Sequence, residues 1–376
     1  METVKVQTIG KEIIKPSKPS SNDLPTLQLS IMDQLIPQVY AVAFLFYTKD
    51  DLISQEQTSQ TLKTSLSETL TKFHPFAGRV NGVTIDSTDK GAVFVDSSVD
   101  DCLLSDFLRS PDTKSLQQLL PFDAAEPIPT WPLLLMQCGG MAIGICMSHK
   151  LGDAVSISNF IQAWAATARG DGDTVVSPEF GSTKIYPPAS GAIQVPGEDQ
   201  LGKRTSITKR FVFVASKIEE LRNKVASDAV PRPTRVQSLT SLIWKCVVAS
   251  STDTTREKAL YQANNLRPKI PAVLSENLIG NPLFSTLTLN GKDNLETVQI
   301  VKELKKRSEE ACFGWGSPVW VTGNVSPILD NVTVLVDSKD GQGVEAWVTL
   351  AEEEMLLFEQ NTELLAFAFP NPSVLI

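Results

Sequence analysis

The sequence predicts an α/β protein built from two halves of similar content, and three observations carry that reading. The chain has 376 residues, more than one hydrophobic core usually serves. Apolar β-rich runs alternate with amphipathic stretches in both halves. Between them, "VSPEFGSTKIYPPASGAIQVPGEDQLGK" (176–203) is punctuated by Pro, Gly and Ser and keeps no periodicity, so it reads as an interdomain linker.

The elements follow in order. The start is polar and Pro/Ser-rich to about Pro25, with no element predicted. "QVYAVAFLFY" (38–47) has the length and β-rich content of a buried strand. "QTSQTLKTSLSETLTKF" (57–73) is an amphipathic helix, with Leu62, Leu66 and Leu70 on one face. "HPFAGRV" is a Pro/Gly turn; "GVTIDS" and "GAVFVDS" read as two short strands of a hairpin-like unit. "MAIGICMS" (141–148) is a strand. "AVSISNFIQAWAATA" (154–168) is a helix with Ile157, Phe160, Ile161, Trp164 and Ala168 on one face. After the linker come strand "TKRFVFV" and helices "ASKIEELRNKVAS" and "RVQSLTSLIWKCVVAS". Strands "LFSTLTL", "NVTVLVDS" and "GVEAWVTLA" follow, and a last helix lies near "EEEMLLFEQNTELLAF".

Composition bounds the function. With 42% hydrophobic and 20% charged residues, the chain is globular. A net charge of −9 argues against a nucleic-acid partner. Five cysteines without a CxxC pair fit a reducing compartment better than a disulfide framework or a zinc site. The N-terminus has no apolar signal region, and the longest apolar run, "VYAVAFLFY", is too short to span a membrane. A soluble, cytoplasmic protein with no bound metal is expected.

Chemistry concentrates in "MSHKLGDAVS" (147–156), which holds one of the two histidines of the chain. His149 ends a strand, and Gly152 is read as giving freedom for a sharp turn into the next helix. The alternative is a histidine satisfied by local backbone. Asp153 has three possible roles: orienting His149, capping the helix that starts at Ala154, or pairing with a distant Arg. Spacing does not choose among them. There is no GxSxG elbow, GxxxxGK[ST] or GxGxxG. Cys146 and His149, three apart on a strand, point to opposite faces, so Cys146 is read as a packing residue. Asp100–Asp101 and Glu352–Glu354 read as solvated charge. So do the basic runs Lys203, Arg204, Lys209, Arg210 and Lys302, Lys305, Lys306, Arg307, although either run could meet phosphates. "CFGWGSPVW" (312–320) reads as a tight structural loop.

Together these stretches resemble a known family. "SHKLGD" matches an HxxxD motif and "FGWGSPVWV" a DFGWG motif. "LSIMDQ" (29–34), "FHPFAGRV", "CGGMAIG", "PTRVQSLTSLIWKC" (233–246), "NNLRPKI" (264–270), "GN" (280–281) and "GVEAWVTLAEEEM" flank them in order. The chain resembles the BAHD acyltransferases, plant enzymes that move an acyl group from coenzyme A to an alcohol or amine; it is most similar in style to the alcohol acetyltransferases of that family. The resemblance implies two chloramphenicol-acetyltransferase-like domains, each a mixed β-sheet with flanking helices, joined by a long crossover. It places the first domain at 1–175, the crossover at 176–205, and at 206–376 a second domain carrying the FGWG motif. It implies a monomer with no bound cofactor. Acetyl-CoA, or another short acyl-CoA, would be co-substrate, and an alcohol of a plant specialised metabolite the acceptor. His149 would be the general base in a channel between the domains. Asp153 would turn away from the channel and pair with Arg267, with Gly152 shaping the turn. Cys312, Phe313, Gly314, Trp315 and Gly316 would form the motif loop. Lys209, Arg210, Ser238 and Thr240 would lie at the coenzyme A site; Leu35, Phe46, Trp131 and Phe284 are candidates for the channel wall.

Two departures stand out. Cys312 occupies the position of the motif's aspartate and cannot carry its charge. The chain is also short for the family: "KKRSEEA" runs directly into Cys312, where the family has a longer segment with an oxyanion donor. These departures motivate an alternative, a catalytically impaired or non-catalytic binding protein on the same scaffold.

Overall fold

The computed structural model describes residues 4–19, 26–48, 54–86, 89–100, 102–121, 134–138, 142–190, 193, 205–253, 258–289, 295–300, 311–323, 331–338 and 340–374. Two mixed sheets with flanking helices form its frame. The first has strand order Lys5–Ile14, Ala92–Asp100, Leu134–Cys138, Ala142–Ser148, Tyr40–Phe46, Trp320–Gly323. The second has order Leu283–Leu289, Ala259–Asn265, Leu295–Ile300, Val332–Asp337, Val344–Ala351, Ser206–Phe213, Phe369–Pro370.

Position in the sheet explains how each strand reads. Tyr40–Phe46 lies between two neighbours and is buried at six of seven positions, hence its unbroken apolar run. Lys5–Ile14 is an edge strand, mostly exposed and paired on one side with Ala92–Asp100. It lies inside the polar start where no element is expected, because an outward-facing edge strand carries no apolar alternation to find. "GVTIDS" and "GAVFVDS" are not a hairpin. Thr84–Asp86 joins a small sheet with Leu27–Gln28 and Arg79–Asn81, whereas Ala92–Asp100 belongs to the first large sheet.

Helices Gln55–Lys72 and Ala154–Ala168 lie side by side. The former starts in a Ser54/Gln57 capping box, and its Leu62, Leu66 and Leu70 are fully buried, each contributing about 1.5–3 kcal/mol. Trp164 donates its indole N–H to the Leu62 carbonyl at 3.1 Å, joining the two helices across the core. The last predicted helix is two: Glu352–Phe358 ends before Asn361, whose side chain caps Thr362–Leu365. Glu354, expected in solvent, is buried and accepts from the Thr252 backbone N–H at 3.0 Å.

The halves are interleaved more than the 206 boundary implies. Trp320–Gly323, from the second half, returns to the first sheet and pairs antiparallel with Tyr40–Phe46. The FGWG loop therefore belongs to the first half's core. The linker is partly structured: Glu179–Phe180 pairs in parallel with Leu278–Ile279 of the second half. Among the described residues, no helix is long and apolar enough to cross a membrane and no group of three or more His, Cys, Asp and Glu could hold a metal ion.

Candidate active site

The strand Ala142–Ser148 delivers His149 to the seam between the halves. The His149 backbone N–H donates to the Val39 carbonyl at 2.9 Å, which fixes the turn to the entry of the neighbouring strand. Lys150 secures it from the other side, donating to the carbonyls of Gln34 and Ile36 at 3.2 and 2.7 Å, at the C-terminal end of the helix Ile31–Leu35.

Gly152 serves close approach, not conformational freedom: it is not among the positive-φ glycines. A Cβ there would sit 2.4 Å from the Ser156 Cβ and 3.3 Å from the Gly280 nitrogen. The turn can lie against the 278–281 segment only without a side chain at 152.

Asp153 fills two of its three possible roles. Its Oδ1 caps the helix Ala154–Ala168, accepting from the Ser156 N–H at 3.0 Å. The carboxylate also accepts from Arg267 through two guanidinium nitrogens: Nη1 to Oδ2 at 2.7 Å and Nη2 to Oδ1 at 3.1 Å. Arg267 is 2% exposed, and its Nε and Nη2 donate to the Leu278 carbonyl at 3.1 and 2.7 Å. This fork–fork geometry suits arginine and not lysine. The Asp153 carboxylate is directed to Ser156 and Arg267, and His149 is oriented by another residue.

That residue is Asn281, buried in the second half. Its Oδ1 lies 3.1 Å from His149 Nδ1. Its Nδ2 faces the Asp33 Oδ1 and the His149 carbonyl, both at 2.9 Å. Two acceptors on that side require the NH₂ group there, so the amide oxygen must face the imidazole. A neutral His149 then carries its proton on Nδ1 and holds the lone pair on Nε2. The sequence offers "GN" and "LSIMDQ" as motif matches but assigns no role to Asn281 or Asp33. Ser182, which donates to Asp33 Oδ2 at 2.9 Å, lies in the linker with no sequence signal at all.

The other expected residues fall elsewhere. Phe313 is buried against Trp164 (ring centroids 4.8 Å, edge-on) and stacked on Trp315 (5.7 Å). Gly314 and Gly316 have φ of +110° and +102°, so the loop requires both glycines. Trp164 lies eleven residues along the helix from Asp153, roughly 16 Å at 1.5 Å per residue, so the motif loop shapes the core remote from the base. Cys312 contributes its backbone carbonyl, which accepts from Arg169.

Three of the four residues expected at the coenzyme A site are buried in the fold, a correction. Arg210 is closed in by Glu345, 3.2 Å away, and donates to the Pro372 carbonyl at 2.9 Å. Ser238 is fully buried and donates to the Thr234 carbonyl, and Thr240 is buried. Lys209 pairs with Glu359. Phe46, a channel-wall candidate, is likewise core, stacked on Trp320 at 5.3 Å. Leu35 is exposed and Phe284 half-buried. Trp131, the basic run at 302–307 and most of the segment before Cys312, where an oxyanion donor is expected, lie outside the described residues. Cys146 is fully buried, and burial pushes its thiol up, away from the thiolate a nucleophile needs. The other histidine, His74, is half-buried beside Phe180, and burial lowers its pKa.

Comparison with known proteins agrees with this architecture. The profile described as "Transferase family" matches residues 4–312 and 308–365. The chain is 39% identical to BAHD acyltransferase BIA1 of Arabidopsis thaliana, covering 98% of this chain and 99% of that one. It is 32% identical to a limonoid 21-O-acetyltransferase of Melia azedarach, covering 97% and 99%. The crystal structure of vinorine synthase superposes with a TM-score of 0.83 at 28% identity, covering 98% and 100%. The Arabidopsis alignment runs over 439 positions for a 376-residue chain, so internal stretches of that relative have no counterpart here. The two profile matches meet at 308–312, where the sequence runs directly into Cys312.

Proposed function

Because the chain belongs to the BAHD acyltransferase family and is an acyl-CoA:alcohol O-acyltransferase, we propose that it transfers an acetyl group from acetyl-CoA to a hydroxyl of a plant specialised metabolite, with His149 as general base. The observation that carries this reading is the His149–Asn281 contact. It leaves Nε2 with a free lone pair, and a base needs one. The relative named as a limonoid 21-O-acetyltransferase supports an alcohol acceptor and an acetyl donor.

The step balances without a covalent enzyme intermediate. The acceptor oxygen attacks the thioester carbonyl carbon as its proton passes to His149 Nε2. The resulting imidazolium keeps its Nδ1–H on the Asn281 oxygen. The tetrahedral intermediate collapses, the C–S bond breaks, and Nε2 returns the proton to the leaving sulfur. The products are an ester and free coenzyme A. Asp153 and Arg267 hold the turn and take no part in proton transfer.

A panel of terpenoid and alkaloid alcohols with acetyl-CoA tests the assignment through release of the free thiol. Release is expected only with an alcohol present, and with ester formed in equal amount. Acetyl-CoA binding by calorimetry without release on any alcohol would favour the non-catalytic alternative, which Cys312 and the shortened segment before it motivate.

A further inference from the structure

We propose that Asp33 is a positioning residue for the transfer reaction: through Asn281 it fixes the Nδ1–H tautomer of His149. The inference rests on His149 being the base and adds what sets that base. Asp33 is 3% exposed on the short helix Ile31–Leu35 and reaches His149 only through Asn281. Its Oδ1 accepts from the Asn281 backbone N–H and from Asn281 Nδ2, both at 2.9 Å. Its Oδ2 accepts from the Ser30 N–H at 2.9 Å, the Ser30 hydroxyl at 2.6 Å and the Ser182 hydroxyl at 2.9 Å. Five donors from three separate segments converge on one carboxylate.

An amide does not replace this carboxylate. An amide at 33 would turn an NH₂ group toward either the Ser30 or the Asn281 backbone N–H, and neither of those donors can reverse. If its NH₂ faced Asn281, it would oppose both the Asn281 backbone N–H and Nδ2, and the His149 carbonyl alone would hold the amide oxygen toward the imidazole. In the fraction of molecules where the amide flips, Nδ1 becomes the acceptor, the proton moves to Nε2, and the base loses its lone pair. The corner is built for this approach. Gly280 has φ +139°, and a Cβ there would lie 2.9 Å from Ser182 and 3.6 Å from Asp33 Oδ1. The base thus comes from the first half, its tautomer is set by the second, and the setting residue is held by the first. His149 becomes a competent base only when the 278–281 corner is docked.

The test uses ¹⁵N-histidine labelling of the full chain, which has two histidines, His74 and His149, with His74→Gln assigning the pair. In the wild type, His149 is expected to show a protonated Nδ1 and an unprotonated Nε2, the reverse of the tautomer imidazole favours in water. In Asp33→Asn, the spectrum should shift toward Nε2–H. The kcat should fall about tenfold or more, the share of general-base catalysis lost with a misplaced proton, while KM for acyl-CoA stays within twofold. Ser182→Ala, a milder variant that loosens the same carboxylate, should move both readouts in the same direction and covers the case in which Asp33→Asn does not fold. A wild-type His149 protonated on Nε2, or an unchanged tautomer and kcat in these variants, overturns the proposal. Retained turnover in His149→Ala would instead overturn the base assignment, and the tautomer spectrum is independent of it.

Discussion

His149→Ala is expected to lower kcat by about 10²–10⁴-fold, the usual contribution of a positioned general base. The fold should survive. Among the described residues, the imidazole hydrogen-bonds one side chain, Asn281, and the turn around it is held by backbone bonds and by Lys150. The melting temperature should stay close to that of the wild type while turnover is lost, and a KM for acyl-CoA near wild type would place the loss in the chemical step. Activity of the variant within a few-fold of wild type would remove His149 from the mechanism.

Arg267→Met is expected to act in the opposite way, through stability. Arg267 and Asp153 are both buried, and removing one leaves the other charged and unpaired, which costs about 3–5 kcal/mol in comparable buried pairs. Arg267 also satisfies the Leu278 carbonyl, and Asp153 caps the helix that starts at Ala154. Urea unfolding should therefore show a midpoint well below wild type with a similar slope. Asp153→Asn should also lower the midpoint: the amide keeps an oxygen for the helix cap, but it leaves Arg267 charged and buried without its counter-ion and sets an NH₂ against Nη1. An Arg267→Met midpoint equal to wild type would contradict the ion pair's role in holding the turn to the second half.

Much of this architecture is legible in the sequence where one physical signal dominates. The helix Ala154–Ala168 is read residue for residue, because Asp153 marks its start and the apolar face repeats at helical spacing. The same holds for Arg235–Ser250, and the strands that carry His149 and its neighbour are read to within two residues at each end. Legibility ends where partners are far apart in the chain. Asn281 is 132 residues from His149 and 248 from Asp33, and no periodicity links such positions. Charged residues mislead for a related reason. Arg210 in a strand reads as a solvent-facing cation, yet its strand lies over the seam, where Glu345 and the Trp320 ring enclose it. Gly152 reads as a turn glycine, and Gly280 only as part of the "GN" match. The first is required by space, and the second by space and a positive φ together.

The FGWG segment shows what a departure from a motif changes. Phe313, Trp315 and the two positive-φ glycines keep the loop's packing, and Cys312 meets Arg169 through its backbone carbonyl. The substitution at 312 therefore falls on a part-exposed residue between Ala311 and Phe313 of the first half's core, at a distance from the proton-transfer site.

The central claim is direct transfer from thioester to alcohol through His149, and a quenched single turnover with acetyl-labelled coenzyme A tests it most directly. With an accepted alcohol, the label should pass from coenzyme A to the ester while the intact protein mass stays unchanged, and His149→Ala should leave the label on coenzyme A. Label on the protein, or undiminished transfer in the variant, would contradict the account.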